Sequence, residues 1–232
     1  MKFINMSKDK TYLIVSVHPF FKKKFNTKKK NKKFLFISKK NELNKKILKR
    51  LNPEIIFFPY WHWKISKSIV QNYNCIGFHT APLPYGRGGS PIQNQIILGR
   101  INSQICAIKY NEIIDGGKVY LRKNIKLNGN ANEIFNNIFS KISIMINKLS
   151  NKLTIPKEQK GKITKFKRRK PLQSQIPQTI KISKLYDFIR MLDFDFNNFP
   201  KSFLKYKGYK YIFSKPILKN KTVKANVEIK KI

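Results

Sequence analysis

One histidine and one aspartate are the side chains of this sequence best suited to acid–base chemistry. His79 ends a short apolar run that begins at Cys75 and is typical of a buried strand. An imidazole changes charge near neutral pH, at about 6.5 when unperturbed, so it can take up and return a proton. Asp115 stands in the turn Asp115-Gly116-Gly117 of a chain that is poor in acidic residues. Because Asp-Gly pairs are also common turn formers, the role of Asp115 depends on what lies beside it.

A turn-rich loop follows His79 and leads into a helix. The loop is rich in residues that break regular structure: Pro82, Pro84, Gly86, Gly88, Gly89 and Pro91. Apolar spacing over 92–98, after a proline at the first helical position, predicts a helix. The chain therefore runs strand, loop, helix. In open α/β sheets, ligands bind at the carboxyl ends of such strands.

This stretch resembles the signature loop of the formyltransferases that use 10-formyltetrahydrofolate. The family loop runs Asn-x-His, then a Leu-Pro segment, then Arg-Gly and a further Pro. The matching residues here are His79, Leu83, Pro84, Arg87, Gly88 and Pro91. The catalytic aspartate of the family corresponds to Asp115. One position departs from the pattern, because Gly77 stands where the family has its asparagine.

The resemblance implies transfer of a formyl group from 10-formyltetrahydrofolate to a primary amine. His79 would handle the amine proton or hydrogen-bond the oxyanion. Asp115 would orient His79 and stabilise its cation, or relay a proton through water. The family asparagine helps to hold the formyl oxygen, and losing such a donor costs about 10²–10³ in rate. Candidates to replace it are Asn94, which is preferred, Gln93 and His62.

Further ligand contacts follow from the same resemblance. The folate ring is expected near 110–115. The aromatic residues after the third strand would either wall that ring or simply pack against the sheet. The donor-binding candidates are Trp61, His62, Tyr110, Glu112 and Ile114. The acceptor would meet the loop at Pro84, Arg87, Gly88, Gly89 and Gln93. Arg87 and the glycines around it would hold an acceptor phosphate or position the loop itself. Arg168 and Arg169, in the basic cluster 165–171, would bind acceptor phosphates, or the cluster is simply a solvated face. Three histidines without metal-ligand spacing argue against a metal site.

Alternating apolar runs and helical spacings predict the α/β class, with a Rossmann-like, mostly parallel sheet flanked by helices. Predicted strands are 11–17, 34–38, 54–58, 75–78, 104–110 and 118–127, and predicted helices are 42–51, 65–70, 92–98 and 132–149. No GxGxxG follows the first strand, so a dinucleotide cofactor is not expected there. Instead His18 should cap or line that turn. The lysine-rich segment 22–33 is expected to be solvated, as loop or weak helix.

Three domains are predicted along the chain. Residues 1–150 form the catalytic α/β domain and 151–180 a basic linker. Residues 181–232 form a small α+β domain with a helix at 183–194 and strands at 203–206, 209–213 and 222–229. This short tail resembles that of sugar N-formyltransferases, which favours an amino sugar, probably nucleotide-linked, as the acceptor.

The composition leaves two alternatives to an amino-sugar formyltransferase open. The 232 residues include 50 Lys and Arg against 11 Asp and Glu, a net charge of +39. Such charge is typical of nucleic-acid binding, although lysines spread over the whole chain also suit AT-rich coding bias. Methionyl-tRNA formyltransferase is therefore the alternative enzyme. A non-catalytic nucleic-acid or anionic-ligand binding module of the same fold is the alternative from another class.

Cysteine usage and hydropathy indicate the compartment. Cys75 and Cys106 both lie in apolar runs and are expected to be buried thiols in a reducing environment. No apolar run approaches the roughly 20 residues that span a bilayer. A cytoplasmic enzyme without membrane contact is the prediction, and a homodimer is left open.

Overall fold

The computed structural model describes residues 10–26, 31–196 and 199–232. The chain forms two compact units. The first unit comprises Met1–His79, Ile105–Lys123 and Phe139–Gly161, and the second comprises Thr80–Gln104, Asn124–Ile138 and Lys162–Ile232. Each unit is assembled from three separate stretches of the chain, so neither unit is one continuous segment.

The regular elements alternate as the apolar pattern predicts. The strands are β1 Lys10–Val15, β2 Lys32–Ile37, β3 Ile55–Phe58, β4 Cys75–His79, β5 Arg87–Gly88, β6 Asn102–Lys109, β7 Val119–Lys126, β8 Lys165–Phe166, β9 Phe203–Tyr206, β10 Tyr209–Lys219 and β11 Thr222–Lys231. The helices are α1 Pro19–Phe25, α2 Lys45–Leu51, α3 Lys67–Asn72, α4 Pro91–Ile97, α5 Ala131–Asn151 and α6 Ile182–Arg190.

The main sheet has the strand order β2-β1-β3-β4-β6-β7. The first four of these strands are parallel, and β6 runs antiparallel to β4. This arrangement confirms the predicted α/β class with a mostly parallel sheet. His79 is the last residue of β4 and pairs with Cys106 of β6. His79 therefore lies at the carboxyl edge of the parallel strands, where ligands bind in such sheets.

The core of the first unit lies on the central strands, whose residues are almost all buried. Strand β3 is buried along its full length, as expected of a central parallel strand covered on both faces. One apolar cluster gathers buried residues from several elements: Leu13, Val15, Ile37, Leu48, Ile56, Phe58, Ile69 and Cys75. Cys75 and Cys106 are both free and buried, as predicted. In the described ranges, no helix combines the length and apolarity that crossing a bilayer requires.

Two helices show what the sequence pattern did and did not reveal. The apolar face predicted for α5 is buried throughout: Ile134, Phe135, Ile138, Phe139, Ile142, Ile146 and Leu149. Helix α1 occupies part of the lysine-rich stretch that suggested a solvated connector, because Phe21 and Phe25 anchor it in the core. His18 caps α1, accepting a hydrogen bond at Nδ1 from the backbone N–H of Phe20. Residues 27–30 of the connector lie outside the described part.

The second unit contains a three-stranded antiparallel sheet, in the order β11-β10-β9. The three strands and the preceding helix α6 were predicted, but β10 and β11 are longer than the apolar pattern indicated. Their register shifts between Ser214 and Ile217. The periodicity that marks a strand breaks at such an irregularity, which explains why the prediction ended β10 at Phe213.

Candidate active site

His79 and Asp115 lie side by side in the first unit. The distance from His79 Nδ1 to Asp115 Oδ2 is 3.4 Å. The His79 side chain is 7% exposed and that of Asp115 is 17% exposed, so water screens their attraction weakly. A carboxylate at Nδ1 fixes the orientation of the ring and stabilises the imidazolium form. The sequence predicted these two side chains as partners, and the structure brings them together.

The turn that carries Asp115 is strained and held from outside. Asp115 has φ 51°, in the left-handed region that few non-glycine residues adopt. A Cβ atom on Gly117 would lie 1.7 Å from the carbonyl oxygen of Lys109, so only glycine fits there. Gln159 donates hydrogen bonds of 2.8 Å from Nε2 to the carbonyl oxygens of both Asp115 and Gly117. These contacts fix the carboxylate against His79.

Beside Asp115 the first unit contains a cavity of about 430 Å³. Its volume lies in the range that holds small-molecule ligands, roughly 300–1,000 Å³. The lining combines apolar, aromatic and charged side chains: Trp63, Lys64, Ile65, Lys67, Val70, Tyr110, Asn111, Glu112, Ile113, Ile114 and Asp115. Three of the predicted donor-binding residues, Tyr110, Glu112 and Ile114, line this cavity. Glu112 is paired with Lys67 across 3.2 Å at the surface.

Tyr110 follows β6 and lies beside the amino end of β4, with its ring over Gly77. Its backbone N–H donates to the carbonyl of Cys75 at 2.9 Å, and its ring packs 5.5 Å from that of Phe58. Burial, with smaller contributions from the charges of Asp115 and Cys75, raises the pKa of Tyr110 well above its ordinary value. The hydroxyl therefore keeps its proton at neutral pH and can only lose it in strong base.

The loop after His79 belongs to the second unit, where it pairs with a distant segment. Strand β5 runs parallel to β8, and the N–H groups of Arg87 and Gly89 donate to the carbonyls of Thr164 and Phe166. A Cβ on Gly88 would lie 2.3 Å from the Phe166 carbonyl oxygen. The backbone at Gly88 thus closely approaches residue 166 of the same chain.

Gly89 and Asn94 also serve this pairing. A Cβ on Gly89 would lie 2.4 Å from the Cβ of Arg168. Nδ2 of Asn94 donates to the carbonyls of Gly89, Ser90 and Lys167, at 3.0, 3.1 and 3.1 Å. The amide that was the preferred substitute for the family asparagine is therefore engaged in holding the loop. Its neighbour Gln93 is 4% exposed.

Other predicted acceptor contacts in this unit differ in accessibility. Pro84 is buried and its carbonyl accepts a hydrogen bond from Thr164. Arg168 is exposed, whereas the guanidinium of Arg169 lies over the ring of Phe188 and donates to the carbonyl of Gln173. Burial lowers the pKa of Arg169. Of the two arginines, Arg168 is the one free to face solvent and ligand.

Comparison with known proteins identifies the family of this chain. The model of the methionyl-tRNA formyltransferase C-terminal domain matches residues 171–230. A solved structure, methionyl-tRNA formyltransferase from Clostridium thermocellum, is 38% identical, with a TM-score of 0.89 over 96% of this chain and 99% of that chain. The chain belongs to the formyltransferase family. Members of this family use formyl-tetrahydrofolate as the one-carbon donor.

Two further relatives set limits on the likeness. Methionyl-tRNA formyltransferase from Caldicellulosiruptor saccharolyticus is 34% identical over 98 residues, which are 41% of this chain and 32% of that protein. The chain thus matches about a third of the length of this curated relative. A sugar N-formyltransferase from a Shewanella species is 16% identical, with a TM-score of 0.69 over 88% of this chain and 96% of that chain. At that identity the likeness shows the fold alone.

Two residues predicted to wall the donor site of this formyltransferase lie outside the cavity lining. Trp61 packs against the apolar cluster of the first unit, and its buried Nε1 has no hydrogen-bond partner among the described residues. His62 is exposed and lies against Tyr60, with ring centroids 4.8 Å apart. Trp63, which stacks edge-on against Trp61 at 4.6 Å, lines the cavity instead. The aromatic segment thus contributes a different ring from the one expected.

Sequence reasoning missed two glutamines, one in each unit, whose side-chain amides hold the backbone near the predicted residues of their own unit. Gln159 lies in the polar stretch 151–161, which carries no periodic signal and looked like a linker. Gln95 is completely buried and donates to the carbonyl of Thr80 at 2.8 Å, while its Oε1 accepts from Ser103 at 2.6 Å. A buried glutamine within an apolar helix was the available signal, because such an amide must find partners.

Proposed function

We propose that this chain transfers a formyl group from 10-formyltetrahydrofolate to the primary amine of a macromolecular acceptor, aminoacylated tRNA. The observation that carries the proposal is the His79–Asp115 pair beside a cavity of about 430 Å³, in a chain of the formyltransferase family. Both residues are largely buried, and both occupy the positions that the family resemblance assigns to catalysis.

The reaction is acyl transfer between two nitrogens. The acceptor amine attacks the formyl carbon, forming a new C–N bond and an oxyanion. The bond from that carbon to N10 of the folate then breaks, and N10 takes the proton that the amine loses. His79, oriented by Asp115 at Nδ1, carries that proton or hydrogen-bonds the oxyanion as its cation. The 3.4 Å separation is somewhat longer than the roughly 2.7–3.2 Å of a good N–H···O bond.

The donor occupies the cavity that Asp115 lines. A folate has a flat ring, which suits the aromatic and aliphatic walls of Trp63, Tyr110 and Ile114. Its glutamate tail carries carboxylates, which suit the ammonium groups of Lys64 and Lys67 in the same lining. In this placement the formyl group lies beside Asp115, and the acceptor amine approaches the formyl carbon from the side opposite the folate.

Aminoacylated tRNA is favoured over an amino sugar for two reasons. The relative that matches nearly the whole chain is named a methionyl-tRNA formyltransferase, as is the family model that matches the tail. The short tail had suggested a sugar acceptor, but sugar N-formyltransferases share only the fold at 16% identity. A net charge of +39 also favours a polyanionic acceptor, since phosphate contacts supply most of the affinity for nucleic acid.

An acceptor panel tests the proposal. The purified protein is incubated with 10-formyltetrahydrofolate and, separately, methionyl-tRNA, uncharged tRNA, free methionine and nucleotide-linked amino sugars. We expect tetrahydrofolate release and an N-formyl product, identified by mass, only with methionyl-tRNA. A formylated sugar would instead support the amino-sugar alternative. No product from any acceptor, together with tight and steeply salt-dependent tRNA binding, would support the non-catalytic binding module.

A further inference from the structure

The formyl oxygen needs a hydrogen-bond donor that residue 77 does not supply. As the amine attacks, negative charge develops on this oxygen, and a positioned donor there is worth about 10²–10³ in rate. Gly77 has no side chain to offer. It lies two residues before His79 on β4, so the two positions share one face of the strand. A donor above Gly77 would therefore stand next to the His79 imidazole.

The side chain of Tyr110 fills the space above Gly77. A Cβ atom placed on Gly77 would lie 2.3 Å from Cζ of Tyr110 and 2.5 Å from its hydroxyl oxygen. Standard bond lengths put the amide nitrogen of an asparagine roughly 2.5 Å from its own Cβ. The tyrosine hydroxyl thus occupies the neighbourhood that an asparagine amide at position 77 would occupy. The glycine and the tyrosine are complementary, because any larger residue at 77 would collide with the ring.

The hydroxyl is held rigidly and in the state of a donor. Its ring packs against Phe58 and lines the same cavity as Asp115. The raised pKa of Tyr110, which is due first to burial and then to the charge of Asp115, keeps the O–H bond intact. A preorganised donor of this kind suits an oxygen supplied by a ligand.

We propose that the Tyr110 hydroxyl donates a hydrogen bond to the formyl oxygen and to the oxyanion derived from it, in place of a side-chain amide at position 77. This assignment rests on the proposed formyl transfer. It makes Tyr110 a catalytic residue and assigns the donor function to neither Asn94 nor Gln93. The bond forms without net proton transfer, since the hydroxyl keeps its proton when the oxyanion collapses.

A binding experiment tests the hydrogen bond without an acceptor. The probes are 10-formyl-5,8-dideazafolate, a stable analogue of the donor, and the same compound without its formyl group, titrated calorimetrically. The wild type should bind the formyl compound at least ten-fold more tightly, and Tyr110→Phe should lose that preference. If Tyr110→Phe keeps the wild-type preference for the formyl compound, the Tyr110 assignment is overturned. It is also overturned if the wild type shows no such preference. Failure of the wild type to bind either probe overturns the proposed function itself.

Kinetics and a rescue provide the second readout. Tyr110→Phe should lower kcat by about 10²–10³, and KM for the donor should rise only by about the ten-fold that binding of the formyl group loses. Tyr73→Phe is the matched control, because this partly buried tyrosine packs on the same apolar cluster, and it should retain wild-type kcat. Tyr110→Ala combined with Gly77→Asn removes the ring and restores an amide, so its kcat should exceed that of Tyr110→Ala at least ten-fold. Wild-type kcat in Tyr110→Phe, or no recovery in a folded double variant, overturns the assignment.

Discussion

Gln159 holds the Asp115 turn by donating from one amide nitrogen to two carbonyl oxygens, those of Asp115 and Gly117, each at 2.8 Å. The turn needs this support because Asp115 adopts a left-handed backbone conformation that costs roughly 1–2 kcal/mol for an ordinary residue. The segment that carries Gln159 is itself fixed. Lys157 forms an antiparallel bridge with Val119, through hydrogen bonds of 2.7 and 2.9 Å. Strand β7 thus positions the carboxylate through Gln159.

Replacement of Gln159 by leucine should impair catalysis through Asp115. The variant keeps the approximate shape of the side chain and loses two hydrogen bonds, each worth about 1 kcal/mol. We expect kcat to fall about ten-fold and the urea unfolding midpoint to drop slightly. Glu158→Gln is the control, since it removes only an exposed ion pair with Lys118 and should leave kcat unchanged. A lowered midpoint with normal kcat would give Gln159 a purely structural role.

Replacement of Asp115 by asparagine should separate charge from shape. Asparagine tolerates the left-handed conformation as well as aspartate does, so the turn should persist. It cannot stabilise an imidazolium, so kcat/KM should fall by about 10²–10⁴, the usual contribution of acid–base catalysis. Steady-state kinetics with Glu54→Gln as the control would measure this, because Glu54 pairs with Lys10 at the surface. Activity within three-fold of wild type would remove Asp115 from the mechanism.

The main sheet and the proximity of His79 to Asp115 could be predicted from the sequence because both have strong local signatures. Apolar runs of strand length identify the parallel strands, and the motif around His79 identifies the loop. The identity of the residues that support the site could not be predicted in this way. Gln159 and Thr164 act on turns far away in the chain, and hydrogen bonds between distant polar residues leave no periodic pattern. Their partners are evident only in the folded structure, where β5 pairs with β8 and Lys157 pairs with Val119.

The role of position 77 shows a different limit. The loop motif indicates a missing amide at this position, with Asn94, Gln93 and His62 as candidates to replace it. The ring of Tyr110 enters this space because β6 runs antiparallel to β4 and returns the chain past Cys75. That pairing could not be read from residue types. Cytoplasmic location and the division into successive domains stay predictions.

Two substitutions of Asn94 should show that this residue holds the loop. Asn94→Asp places a carboxylate against three carbonyl oxygens that now accept hydrogen bonds, so it should destabilise the fold by about 1–3 kcal/mol. Asn94→Ala should cost less, because it introduces no repulsion. Thermal melting measures both, with Asn102→Asp at an exposed position as the control. If Asn94 served the formyl oxygen instead, Asn94→Ala would melt normally and lose about 10²–10³ in kcat.

His18 should make the stability of the protein depend on pH through its cap on α1. Only a neutral imidazole can accept the hydrogen bond from Phe20, and burial lowers the pKa of His18 below its ordinary value of 6.5. In the interval between the two values the unfolded chain binds the proton more readily than the folded one. The contribution of His18 to stability should therefore be constant above about pH 6.5 and be lost as the pH drops through that interval. His18→Asn retains a capping acceptor without titrating in this range. The difference in urea midpoint between wild type and this variant should shrink or reverse from pH 7.5 to pH 5.5. An unchanged difference would show that protonation of His18 is not linked to unfolding.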